Sequence, residues 1–128
     1  MKEIKLGSQG LRVPAIGLGC MGMSEFYGSS SETQNLKVLD RAVEIGCTFW
    51  DTSDMYGPFT NEILLGKALK GRRDKITLAT KFGIARSEDG GWLGTKGGAD
   101  YVKRSCDASL KRLGTDYIDL YQVHCWDP

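Results

Sequence analysis

Apolar positions along the chain come in short bursts, each broken by a polar, glycine-rich joint and most followed by a stretch of helical period. Residues 2–6 and 11–14 read as two short strands around Gly7-Ser8-Gln9-Gly10, and glycine at both ends of that turn suits a hairpin. Residues 15–19 (AIGLG) predict a first buried strand whose small side chains let another group approach the backbone. Residues 32–45 predict a helix with Leu36, Leu39, Ala42 and Val43 on one face. Ser31 is its expected cap, Gln34 follows as in a capping box, and Gly46 ends it. Residues 48–53 predict a second strand. A second helix over 61–70 takes Thr60 as its cap, turns Leu65, Ala68 and Leu69 inward, and stops at Gly71. Residues 76–81 predict a third strand, 84–98 a long glycine-rich loop, and 100–113 a third helix with Val102, Cys106, Leu110 and Leu113 on one face. A fourth strand over 117–123 runs into His124. Strands and helices alternating in this order make a parallel sheet, and connections repeated in one hand curl it toward a barrel.

Composition narrows the class without choosing a function. The chain has 128 residues, enough for one domain, and is 41% apolar and 26% charged. Its formal charge of +1 offers no one-signed field to attract nucleic acid or an anionic membrane. No apolar run approaches the ~20 residues of a membrane span, and residues 1–10 lack the apolar core of a signal peptide. Cys20, Cys47, Cys106 and Cys125 form no CxxC pair. With a single histidine in the chain, no structural zinc site is expected, and reduced thiols in the cytoplasm are the expectation.

The stretch TFWDTSDMYG (48–57) turns abruptly from apolar to polar, placing Asp51, Thr52, Ser53, Asp54 and Tyr56 at a strand end. Alone it also suits a capped turn. The next two strands end in ionisable groups as well: Lys81 on the third and His124 on the fourth. Strand ends in a parallel barrel share one face, and neighbouring strands lie about 4.8 Å apart, so these groups can meet. Singly, Lys81 reads as a solvated strand end and His124 as a half-buried histidine. Together, Asp51, Tyr56, Lys81 and His124 read as a general-acid site. A phenol is a weak acid near neutrality, a neighbouring ammonium stabilises the phenolate, and a carboxylate keeps that ammonium charged and aimed. Gly17-Leu18-Gly19-Cys20-Met21-Gly22 spells GxGxxG but is not read as a dinucleotide fingerprint. The fingerprint needs a helix opening at its third glycine, and residues 23–30 read as a loop.

The chain resembles the aldo-keto reductase family, in its auxin-induced-like, pyridoxal- and perakine-reductase-like subgroup. The resemblance rests on GLGCMGMSEFYG (17–28), DTSDMYGPFTNEILLGKALKGRRD (51–74), ATKFG (79–83), YVKRSCDASLKRLGTDYIDLYQVH (101–124) and WDP (126–128), with Asp51 and Tyr56 spaced as DxxxxY. It implies the N-terminal half of an eight-stranded (β/α) TIM barrel, made of the hairpin plus four barrel strands with three helices, so that residues 1–128 form one partial domain. It implies NADPH-dependent reduction of small-molecule aldehydes and ketones by direct hydride transfer, with no metal. By resemblance Tyr56 is the proton donor, Lys81 and Asp51 are its partners, and His124 orients the carbonyl. Cys20, Met21 and Asp51 then lie along the nicotinamide end of NADPH/NADP+. The family's later strands, and the loops that hold the rest of the cofactor, fall outside these residues. Unpaired outer strands are expected to favour self-association. The resemblance leaves three functions open: a carbonyl reductase, a nucleotide-sensing binding protein like channel β-subunits, and a catalytically inactive fragment.

Overall fold

The computed structural model describes residues 1–125, and the WDP run at 126–128 lies outside them. The chain opens with a hairpin of β1 (Glu3–Lys5) and β2 (Arg12–Pro14), paired antiparallel with Ile4 opposite Val13. There follow β3 (Leu18–Gly19), α1 (Glu32–Glu44), β4 (Phe49–Asp51), α2 (Thr60–Leu69) and β5 (Thr77–Phe82). A second hairpin, β6 (Ile84–Arg86) and β7 (Trp92–Thr95), precedes α3 (Ala99–Leu113) and β8 (Leu120–Val123). Strands β3, β4, β5 and β8 form one parallel sheet in that order, as the alternating pattern predicts.

Alternation along the strands sorts side chains to two faces. Trp50, Leu78 and Thr80 lie fully buried on the face that packs against the helices. There Trp50 and Leu78 join Leu39, Leu65, Leu69 and Leu113 in the core. Asp51, opposite Ala79, and Lys81, two residues further along β5, fall on the other face. Helix α1 starts where expected, with Ser31 Oγ accepting the Gln34 N–H at 3.2 Å.

The fourth strand, expected over 117–123, begins only at Leu120, and four further details differ from the sequence pattern. The expected strand 15–19 contracts to Leu18–Gly19 and is not buried, because it pairs with β4 alone and residues 15–17 are exposed. Thr60 is not the cap of α2 but its first residue. Phe59 caps the helix in the left-handed region at φ 65°, and Thr60 Oγ1 donates to the Gly57 carbonyl. The expected loop 84–98 contains the β6–β7 hairpin, with Arg86 opposite Trp92 and its guanidinium 5.0 Å from that ring centroid. On α3 the buried line runs through Ser105, Ser109 and Leu113, leaving Val102, Cys106 and Leu110 partly exposed. That face meets polar groups of α2: Glu62 is fully buried and accepts from Arg112 Nε at 2.6 Å and Thr80 Oγ1 at 2.7 Å.

Candidate active site

The sheet is parallel, so β4, β5 and β8 deliver their C-terminal ends to one edge. β4 ends on Asp51, Lys81 is the second-last residue of β5, and His124 follows β8. Lys81 organises the group. An ammonium has three N–H donors. Its Nζ lies 2.6 Å from Asp51 Oδ2, 2.9 Å from the Thr52 carbonyl and 3.4 Å from the Tyr56 hydroxyl. Two donors are thus held by a carboxylate and a carbonyl, and the third is left facing the phenol. His124 stands edge-on to the Tyr56 ring, with ring centroids 5.7 Å apart. Burial, and then the Lys81 charge, lower the His124 pKa, so its imidazole is neutral near pH 7. The structure therefore brings together all four of Asp51, Tyr56, Lys81 and His124.

The loop carrying Tyr56 is fixed from outside the site. Arg86 Nη1 donates to the Met55 carbonyl at 2.9 Å and to Glu25 Oε1 at 2.5 Å. Asn61, fully buried at the start of α2, accepts from Thr52 Oγ1 at 2.6 Å and donates to the Cys20 carbonyl and Ser24 Oγ, each at 2.8 Å. One amide therefore ties the exits of β3 and β4 together. Neither residue stands out in the sequence, where Arg86 is one charge in a glycine-rich stretch and Asn61 one polar residue near a helix start.

A recess of about 370 Å³ opens beside Tyr56, lined by Gly19, Cys20, Met21, Gly22, Tyr27 and Asp51 as well. Met21 is half-buried at its rim. Cys20 is fully buried, so it underlies the recess rather than presenting a surface, and burial with the nearby Asp51 charge pushes its thiol up to about 12. That thiol stays protonated at neutral pH and does not act as a nucleophile. A Cβ added at Gly19 would meet nothing within 4 Å beyond its chain neighbours, so the wall there is open backbone against which a flat ring can lie. The residues around the recess therefore fit the nicotinamide end of a dinucleotide. The GxGxxG run bends through a short 3-10 turn at Met21–Met23, and α1 opens only at Glu32.

Residues 15–128 match the model of the aldo/keto reductase family. The chain is 54% identical over 114 residues to the Schizosaccharomyces pombe protein named aldo-keto reductase yakc, NADP(+), covering 88% of this chain and 34% of that protein. It superposes on aldo-keto reductase AKR11C1 from Bacillus halodurans (holo form) with a TM-score of 0.86 at 43% identity, covering 96% of this chain and 40% of that one. An aldo-keto reductase from Klebsiella pneumoniae in complex with NADPH gives a TM-score of 0.76 at 32% identity, covering 94% of this chain and 38% of that one. The chain spans about a third of the length of the curated relative it matches.

Proposed function

Because the chain belongs to the aldo/keto reductase family, we propose that it carries the proton-donating site of an NADPH-dependent reductase of small aldehydes and ketones. The observation that carries this reading is the Lys81 ammonium, fixed by Asp51 and Thr52 with its remaining donor on the Tyr56 hydroxyl. Tyr56 gives its proton to the carbonyl oxygen. Lys81 then faces the charge that develops on the phenolic oxygen, and Asp51 keeps the ammonium in place. His124, neutral and edge-on to Tyr56, donates to the same carbonyl oxygen and orients it. Met21 and Asp51, with Cys20 beneath them, hold the nicotinamide end of NADPH in the recess over Gly19. The bound cofactor supplies the hydride for the carbonyl carbon. The NADPH-bound Klebsiella neighbour and the NADP(+)-named yeast relative support that choice of cofactor. Four free cysteines suit a reducing compartment such as the cytoplasm.

The test is turnover of 4-nitrobenzaldehyde with NADPH, paired with NADPH binding followed by fluorescence. Tyr56→Phe is expected to lower kcat by roughly 10²–10⁴-fold, the usual contribution of a positioned general acid, with cofactor binding unchanged. Wild-type protein that binds NADPH without reducing the aldehyde would favour a nucleotide sensor. Protein that does neither would make the chain a catalytically inactive fragment.

A further inference from the structure

The His124 imidazole can orient a carbonyl by donating from Nε2 only if its single neutral-state proton resides there, and something must hold it there. The partner of the other ring nitrogen is Ser53. Its hydroxyl is fully buried and lies 3.1 Å from His124 Nδ1. We propose that Ser53 is a positioning residue for His124: its hydroxyl donates to Nδ1 and confines the imidazole proton to Nε2, which points away from the buried serine. The proposal rests on the reading of His124 as the residue that orients the carbonyl.

Three acceptors compete for the one Ser53 proton, and the surroundings decide among them. The Lys81 carbonyl is 3.3 Å away, but it already accepts the Asp54 N–H at 3.1 Å. Asp54 Oδ1 is also 3.3 Å away. Burial and the Glu62 carboxylate push Asp54 up to about 7, against the Ser53 hydrogen bond that lowers it, so near neutral pH part of it is the protonated form, a weaker acceptor than a carboxylate. Met55 N–H donates to Ser53 Oγ at 3.3 Å, filling part of its acceptor capacity. The shortest contact left for the hydroxyl proton is Nδ1.

His124 is the sole histidine of the chain, so a sample labelled with ¹⁵N-histidine and free of any histidine tag reports one ring without assignment. In a long-range ¹H–¹⁵N spectrum of the full chain near neutral pH, Nε2 is expected to show a protonated shift. Nδ1 is expected to show the shift of an unprotonated nitrogen accepting a hydrogen bond. Ser53→Ala is expected to move both shifts toward those of a free neutral imidazole and to lower kcat about tenfold, the worth of one net hydrogen bond, with KM for NADPH unchanged. Ser53→Thr, which keeps the hydroxyl, is expected to restore both. A wild-type ring that carries its proton on Nδ1 overturns the proposal, and so does a Ser53→Ala ring with unchanged shifts. The wild-type measurement stands even where a variant fails to fold. A wild-type chain with the expected tautomer but no carbonyl turnover overturns the reductase function instead.

Discussion

Asp54 sits beside Ser53 with only 4% of its surface exposed, facing Glu62 from α2, Arg112 and Tyr101 from α3, and Tyr121 from β8. Its carboxyl is raised from an ordinary 3.8 to about 7, by burial first and Glu62 second, against the Arg112 charge. The unfolded chain releases this proton near the ordinary value, whereas the folded chain keeps it until about pH 7. Between those values the folded state binds the extra proton, so stability falls as pH rises and the loss is complete above about 7. The shift corresponds to a penalty on the order of 4 kcal/mol at alkaline pH. Asp54→Asn has no such proton to hold. Urea unfolding at about pH 4 and about pH 8 is therefore expected to show the variant gaining on the wild type by a few kcal/mol at the higher pH. Parallel pH profiles of the two proteins would refute this account of Asp54. The DxxxxY spacing of the family resemblance pairs Asp51, not Asp54, with Tyr56, and Asp51 is the carboxylate that lies 2.6 Å from Lys81. What spacing does not reveal is that Asp54 is the more deeply buried carboxylate.

At the scale of elements, α2 and α3 meet so closely at Gly66 that its missing side chain is part of the packing. A Cβ there would lie 2.5 Å from the Arg112 carbonyl oxygen and 3.1 Å from that of Leu113. Backbone cannot yield as a flexible side chain can, so Gly66→Ala must spread the helices. The expected cost is about 1–3 kcal/mol, despite the ~1 kcal/mol by which alanine improves helix propensity. A lowered midpoint in chemical denaturation checks this, and a midpoint at or above the wild-type value would show that the pair is not close-packed. Such contacts explain what the sequence could and could not disclose. Helix α1 is readable because it buries one face through Leu39 and Ala42, and β4, α2 and β5 because each is a short, largely apolar run around Trp50, Leu65 and Leu78, bounded by turn residues. The β6–β7 hairpin is not readable, because residues 91–100 are all exposed and leave no apolar alternation; its Arg86–Trp92 pair exists only across strands. Asp51, Lys81 and His124 were legible as strand-end charges whose meeting follows from parallel order. Ser53, Asn61 and Arg86 were not, since each acts through partners far along the chain: His124, Cys20 and Glu25 respectively.

Across the whole molecule, the four side chains of the proposed site gather at one end of a sheet whose outer strands are β3 and β8. Among the described residues, each of these pairs on one side only. An unpaired parallel edge presents a row of N–H and C=O groups to solvent and invites another strand. Apolar side chains stand exposed next to both margins, with Ile16 at 64% just before β3 and Val123 at 56% on β8. The 128-residue chain is therefore expected to self-associate, two copies meeting along these edges beside the site. Sedimentation at rising protein concentration should show an apparent mass that climbs above the 14.1 kDa of one chain. Val123→Lys puts a charge on the exposed side of β8, a residue type that discourages edge pairing, and is expected to move the equilibrium toward monomer while the far-ultraviolet spectrum stays unchanged. A wild-type chain that sediments as a monomer at every concentration would refute edge pairing. It would mean that the hairpin at β1–β2 and the loops around Tyr56 protect the margins sufficiently by themselves. A dimer that survives Val123→Lys undiminished would place the contact elsewhere on the molecule, away from β8.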